Sequence, residues 1–435
     1  MITATLDELS IGSGQYGIGA PATDYDPRLP RYLRITDIRD DGTLDLSDKK
    51  SVNDSKASSY MLRPGDIVFA RTGNSTGRNY FYDKRDGEFT FAGFLIRFSL
   101  DESKVNPRYI KYYAQSKSYW NWIASFNTGS TRGNINAKTY GSMPIPLPER
   151  RIQDSIVSFC DSLSDKIRIN TQINDYLAEL CEEIAGAITS TDTSTLSDIA
   201  YQVSEKASCN DASPKNYVST ESLLPNKGGR QAAFSLPEKG KVTVFQPGDT
   251  LISNIRPYFK KIWFADTHGT CSGDVIVFRA KDLRFAPYIY AVLRSDRFFE
   301  YAMSGAKGTK MPRGDKKQMM QFPIAASCNN ETLQVLATMV QQISTNAKET
   351  DALKDLRDVL LPKLMSGEID VSQVDITQLN NHLAHRSLPL LRIYFLWLVP
   401  TGRIEKGKWK DFNVGSQVRR YDAAGSEAPR RNTLG

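Results

Sequence analysis

The feature that most restricts the fold is an internal repeat. Six phrases from the first 150 residues return in the same order, about 180 residues further on. Leu6-Asp-Glu-Leu9 returns as Leu196-Ser-Asp-Ile199, and Tyr32-Leu-Arg-Ile-Thr-Asp-Ile38 returns loosely as Tyr217-Val-Ser-Thr-Glu-Ser-Leu223. Pro64-Gly-Asp-Ile67 matches Pro247-Gly-Asp-Thr250, and Ala92-Gly93 matches Ser272-Gly273. Pro107 with its following aromatics matches Pro287-Tyr-Ile-Tyr290, and Met143-Pro-Ile145 matches Phe322-Pro-Ile324. A single match is chance; six in register describe a duplicated domain, and the 435-residue chain is long enough for two cores.

Each copy begins strand-rich. The Pro-Gly turn at Pro64-Gly65-Asp66 feeds the apolar run Ile67–Ala70, and Phe94–Phe98 and Asp274–Phe278 are matching strand candidates. Short helices are expected at Pro107–Ser116 and Pro287–Ser295. Each copy then ends in a long amphipathic segment. Ile152, Ile156, Phe159, Leu163, Ile167, Ile173, Leu177, Leu180 and Ile184 recur at spacings of three and four, a single helical face. Leu333, Leu336, Met339, Ile343, Ala347, Leu353, Leu356 and Leu360 do the same, and Pro362 is expected to stop that helix. About 35 residues at 1.5 Å each give helices roughly 50 Å long. A stripe that narrow needs a partner stripe, so Ile156, Phe159, Leu163, Ile167 and Leu177 are expected to pair with Leu336, Met339, Ile343, Leu353 and Leu360 in a coiled coil. The alternative is that each helix packs on its own domain. Asn170 interrupts the first stripe, either as a buried residue that sets register or as a solvated one.

Net charge alternates along the repeat. It is +3 over residues 1–150, −5 over 151–195, +7 over 196–328 and −4 over 329–375. Basic strand-rich segments suit a polyanion, and acidic helices suit protein or water. The longest apolar run, Ile393–Val399, is about a third of a membrane span. Met1–Ser10 has no basic leader pattern. The cysteines at 160, 181, 209, 271 and 328 form no C-x-x-C pair and read as free thiols of a cytoplasmic protein.

Motifs for chemistry are missing. Asn106-Pro-Arg-Tyr109 misses the Asn-Pro-Pro-Tyr pattern of adenine methyltransferases, and Pro107 reads better as a helix start. Asp66, Glu102 and Lys104 can be aligned as a nuclease set, but Asp66 recurs at Asp249 without a following Glu-x-Lys, which favours a turn-forming role. No nucleotide-binding P-loop is present, and the three histidines (His268, His382, His385) give no metal or general-base pattern. No catalytic residue, metal or cofactor is expected.

The order of these elements, with Leu62-Arg-Pro-Gly-Asp-Ile-Val-Phe-Ala-Arg-Thr-Gly73, Gly129-Ser-Thr-Arg-Gly-Asn-Ile135, Met143-Pro-Ile-Pro146 and Leu361-Pro-Lys-Leu-Met-Ser-Gly-Glu-Ile369, resembles the specificity subunits of type I restriction-modification systems over about residues 1–371. The resemblance implies an α+β chain. Two tandem strand-rich target-recognition domains (1–150 and 196–328) would be separated by two long helices (151–195 and 329–371) pairing as an antiparallel coiled coil. A basic tail of unknown role (372–435) follows. It implies a non-catalytic reader of a bipartite site in double-stranded DNA, partnered by two adenine-methylation subunits and, through them, by restriction subunits, with no membrane. The rival readings are a DNA methyltransferase or nuclease in its own right, and a coiled-coil scaffold that binds no DNA.

Candidate DNA contacts follow from side-chain chemistry, since Arg pairs with guanine, Asn with adenine and Lys with phosphate. In the first copy they are Arg71, Asn74 and Arg78 in the glycine-rich loop after a strand, then Arg132, Asn134 and Lys138. In the second they are Asn254, Arg256, Lys260 and Lys261, then Lys307, Lys310, Arg313 and Lys316. The tail matches neither copy and reads either as a partner-binding extension or as a dispensable, non-native segment; the second is favoured. Deletion after Asp375 should therefore leave complex assembly and DNA sequence choice unchanged in a pull-down and a methylation map, and loss of either identifies a working tail.

Overall fold

The computed structural model describes residues 2–45, 48–126, 134–188 and 194–369, all within one compact unit, Met1–Gln373. Each copy of the repeat is organised by its Pro-Gly-Asp turn. Gly65 and Gly248 adopt φ of +88° and +94°, where a side chain would be strained. The next residue folds its carboxylate back onto the chain. The Arg63 amide donates to Asp66 Oδ2 and the Gln246 amide to Asp249 Oδ2, both at 2.8 Å. Both aspartates are buried and also held by the neighbouring strand, Asp66 by Ser99 Oγ (2.6 Å) and Asp249 by Arg279 (2.7 Å). Burial raises the Asp66 carboxyl above the ordinary aspartate range.

The first head contains β1 (Ile2–Thr5), β2 (Gln15–Tyr16), β3 (Thr23–Asp24), β4 (Arg31–Leu33), β5 (Lys50–Ser51), β6 (Asp66–Ala70), β7 (Asn79–Phe81), β8 (Phe89–Phe91) and β9 (Leu95–Ser99). Helices α1 (Pro107–Tyr113), α2 (Lys117–Ala124) and α3 (Ala137–Gly141) and strand β10 (Pro144–Leu147) complete it, and α4 (Arg150–Ala187) leaves it. The second head contains α5 (Leu196–Ile199), β11 (Ala200–Gln202), β12 (Lys206–Ser208), β13 (Tyr217–Val218), β14 (Lys241–Phe245), β15 (Thr250–Ser253), β16 (Ile262–Phe264), β17 (Gly269–Cys271) and β18 (Val275–Ala280). It ends with α6 (Ala286–Arg294), α7 (Asp296–Ser304) and α8 (Lys316–Met320), and α9 (Asn330–Ser366) follows.

The main sheets share one order, β2-β9-β6-β7 and β11-β18-β15-β16, and their central pairs are antiparallel in both heads. In the first head β6 is covered on both sides, which explains its unbroken apolar run. Phe69 stacks on Tyr140 at 4.9 Å on the helical side, while Val68 and Ala70 pack with Leu33, Tyr80 and Phe91 on the other. The second sheets diverge: β3-β5-β4-β8 against β12-β14-β17-β13. Both keep a parallel pair, β4 with β8 and β13 with β17. The paired ends of the repeat also close alike. The Leu6 amide donates to the Met143 carbonyl (3.1 Å) and the Leu196 amide to the Phe322 carbonyl (2.9 Å).

The long helices run antiparallel, because partners descend along α9 as they ascend along α4. Asn170 Nδ2 donates to Glu349 Oε2 (2.9 Å), Asn346 Nδ2 donates to Asn174 Oδ1 (2.9 Å), and Cys181 Sγ lies 3.8 Å from Met339 Sδ. The centre of the pair is polar. Asn170 is buried, and Lys166 Nζ sits 3.3 Å from Glu349. Ile156, Phe159, Leu163 and Leu336 are buried; Ile167, Leu177, Met339, Ile343, Leu353 and Leu360 are half-buried; Ile152 and Leu356 stay exposed. The two packing alternatives are not exclusive, since α4 also packs on α1 of its own head and α6 of the other. Pro362 does not stop α9, which continues to Ser366 and ends on a left-handed Gly367. A proline inside a helix costs about 3 kcal/mol. Burial of Leu361, Leu364 and Met365, at about 2 kcal/mol each, outweighs it.

Replacing Glu349 by alanine should leave the Lys166 ammonium and the Asn170 amide without their partner. The expected loss is about 1–3 kcal/mol, read as a lower urea midpoint. Glu179→Ala, on the exposed face of α4, should shift it by less than about 0.5 kcal/mol.

Candidate nucleic-acid interface

In each head the chain leaves its central strand and is at once bonded to two other segments. In the first, the Arg71 amide donates to the Phe94 carbonyl (3.0 Å), the Ile135 amide donates to the Arg71 carbonyl (2.9 Å), and Thr72 bridges to Asn134. In the second, the Asn254 amide donates to the Asp274 carbonyl (2.8 Å), the Gly314 amide donates to the Asn254 carbonyl (3.4 Å), and Ile255 bridges to Arg313. The backbone pattern is the same. It draws the loop after the strand, the turn between β8 and β9 (or β17 and β18), and the segment before α3 (or α8) into one surface.

Side chains on this surface fall into two groups. Asn74, Asn134, Lys138, Lys307, Lys310, Arg313 and Lys316 are exposed. Arg313 is held by Asp274 at 3.2 Å, Arg78 by Asp40 at 2.7 Å, and Lys307 loosely by Asp315 at 3.5 Å. Arg71 is half-buried, with its guanidinium 4.9 Å from the Tyr16 ring centre and Nη2 donating to Asn134 Oδ1 at 3.3 Å. Arg132 lies outside the described residues.

The other group does structural work. Lys260 pairs with Asp296 at 3.0 Å, and Lys227 joins the same carboxylate at 3.1 Å. Hydrogen bonds from Lys260 and Lys227 hold the Asp296 carboxyl below its ordinary range. Lys261 Nζ donates to the Thr220 carbonyl at 2.6 Å, and burial pushes its ammonium down. Arg256 occupies the left-handed region at φ +53°, its amide bonded to the Pro312 carbonyl. Asn254 is buried beneath the surface.

Phe94, Tyr16 and Asp274 are not among the contacts expected from the sequence, where Phe94 and Asp274 open strand candidates. The signal was present, because Ala92-Gly93 and Ser272-Gly273 were matched and the next residues are Phe94 and Asp274. The rival catalytic sets come apart. Asn106 caps α1, accepting from the Arg108 amide and donating to Asp154. Lys104 pairs with Asp101, while the side-chain partners of Asp66 are Ser99 and Arg97. Among the described residues no cluster of His, Cys, Asp and Glu is arranged to hold a metal ion, and no helix is long and apolar enough to cross a membrane.

Residues 33–179 match the family described as the type I restriction modification DNA specificity domain. That stretch, about a third of the chain, is similar to the specificity domain of type I restriction-modification systems. The chain is 23% identical over 126 residues to the specificity subunit of the type I restriction enzyme HindI of Haemophilus influenzae, covering 28% of this chain and 27% of that one. The match thus spans about a quarter of the curated relative's length. The solved S subunit from M. genitalium superposes with a TM-score of 0.49 at 16% identity, over 83% of this chain and 95% of that chain. The subunit from Thermoanaerobacter tengcongensis gives 0.32 at 14% identity, over 85% and 97%.

The two groups of cations should separate on mutation. Lys310→Ala is expected to lower the salt slope of DNA binding by about 0.9 with an unchanged melting temperature. Lys260→Ala should lower the melting temperature and leave the slope alone. The reverse assignment would place the DNA face on the Asp296 side.

Proposed function

We propose that this chain is the DNA sequence-recognition subunit of a type I restriction-modification complex. It reads a bipartite site in double-stranded DNA and directs adenine methylation or cleavage by partner subunits, with no catalytic residue of its own. The observation that carries this reading is the matched pair of loop surfaces mounted on one helical frame.

The first head grips α4 through Arg108 and Asp161 (2.8 Å) and the second through Lys227 and Glu182 (2.9 Å). Those anchors lie twenty-one residues apart on α4, about 32 Å at 1.5 Å per residue. One helix therefore sets the spacing of the two heads. The exposed cations at Lys138, Lys307, Lys310 and Lys316 supply phosphate contacts. The domain divisions at 1–150, 151–195, 196–328 and 329–371 are retained as working boundaries. In this reading the long helices carry two methylation subunits, with restriction subunits joining through them. A cytoplasmic location follows from that role.

Co-expression with a cognate methylation subunit and mapping of modified adenines tests the reading. Two short specified halves around a fixed unspecified gap, appearing only when this chain is present, is the expected result. A continuous motif, or methylation indifferent to the chain, overturns it and favours a scaffold; methylation by the purified chain alone favours an enzyme.

A further inference from the structure

The backbone bonds that knit each reading surface also align the heads residue by residue. Arg71 corresponds to Asn254, because each amide donates to the turn carbonyl and each carbonyl accepts from the second segment. Phe94 then corresponds to Asp274, and Asn134 to Arg313, the residues bridged to Thr72 and Ile255. One scaffold position therefore carries Phe in one head and Asp in the other, and another carries Asn in one and Arg in the other.

The difference reaches the surface. Phe94 is 59% exposed, although it sits on a firmly built turn. The Leu95 amide donates to the Ala92 carbonyl at 2.8 Å and the Gly17 amide to the Leu95 carbonyl at 3.1 Å. A Cβ on Gly17 would lie 2.3 Å from the Ala92 carbonyl oxygen, so this approach needs glycine. The ring is thus held outward by rigid backbone, at a cost in exposed apolar surface. Beside it, Asn134 is exposed; its Oδ1 accepts from Arg71, which leaves its Nδ2 to donate and a second lone pair on Oδ1 to accept. In the second head the same two positions form an ion pair. Asp274 grips Arg313 at Nε (3.2 Å) and Nη2 (3.5 Å), fixing the plane of an exposed guanidinium.

We propose that these two positions are a reading pair, set for an A·T base pair in the first head and for G·C in the second. The inference rests on the DNA-reading role proposed above. An Asn amide matches the adenine edge and an apolar ring matches the thymine methyl; a planar Arg matches guanine. The carboxylate of Asp274 positions Arg313 and has no methyl to seek. The shared backbone puts both pairs at the same place relative to their heads, so the contrast falls on corresponding steps of the two half-sites.

The test is a methylation map of the full chain co-expressed with its methylation subunit, for wild type and for the double variant Phe94→Asp with Asn134→Arg. One position of the first half-site should change from A·T to G·C, and the second half should stay as it was. Asn134→Ala and Arg313→Ala should each relax one position in one half only, with discrimination there falling about tenfold or more. If the double variant is poorly folded, these single variants decide. A wild-type motif with the same base pair at both steps overturns the proposal, as do variants that methylate the unaltered motif. A wild type with no split motif sinks the parent reading instead, before any variant is made.

Discussion

The placement of the two heads depends on the helix that carries them both. Four acidic residues of α4 bind the heads. Asp154 binds Asn106, Asp161 binds Arg108 and Tyr112, Asp165 binds Arg85, and Glu182 binds Lys227 and Arg294. The Glu182 pairs are shielded on both sides and are worth more than a free surface ion pair, while Asp165 with Arg85 is exposed and adds little; together the set fixes both heads along one beam. The negative charge of the α4 segment is therefore a fastening toward basic heads. A hydrophobic joint alone would hold as well but would tolerate more sliding, since dispersion contacts have no direction.

The same logic explains the polar middle of the helix pair. A stripe of leucines down both helices would bury more apolar area and permit neighbouring registers of similar energy. Lys166, Asn170, Asn174, Asn346 and Glu349 can satisfy one another in one register only. Register matters here because α9 is also packed on α6 of the second head, and α6 is packed on α4. A slip of one turn, about 5.4 Å, would move that head along the beam by the same distance. The polar layer trades some stability for a fixed length.

Much of this was legible in the sequence, and the physical reason is consistent. Turns that need glycine, buried strand runs and helical stripes leave local signatures, and the duplication doubled each of them. Pro64-Gly65-Asp66 was readable because its turn is closed by its own neighbour, the Arg63 amide, and Met143-Pro-Ile145 because the duplication repeats it as Phe322-Pro-Ile324, although its strand partner Ile2–Thr5 is far away in the chain. What failed to show was tertiary. Lys260 and Lys261 look like DNA contacts beside Arg256, but their partners Asp296 and Thr220 lie about 36 and 41 positions away in the chain. Pro362 looked like a stop because burial of Leu361, Leu364 and Met365 cannot be seen in the helix alone. Asn170 was ambiguous until Glu349 was set opposite it.

The duplicated heads also show which parts of a reading surface are free to differ. The amide and carbonyl at Arg71 and at Asn254 are spent on the same two bonds, so the backbone there cannot move without opening the sheet edge. Side chains at those positions carry no such burden, and they differ: Arg and Asn have exchanged places between Arg71–Asn134 and Asn254–Arg313. By contrast the aspartates of the Pro-Gly-Asp turns, whose carboxylates hold main-chain amides, are the same in both copies. A position keeps its residue where the side chain supports the backbone and diverges where the backbone supports the side chain. On the proposed function, sequence choice can thus change in either half without disturbing the frame that spaces the two heads.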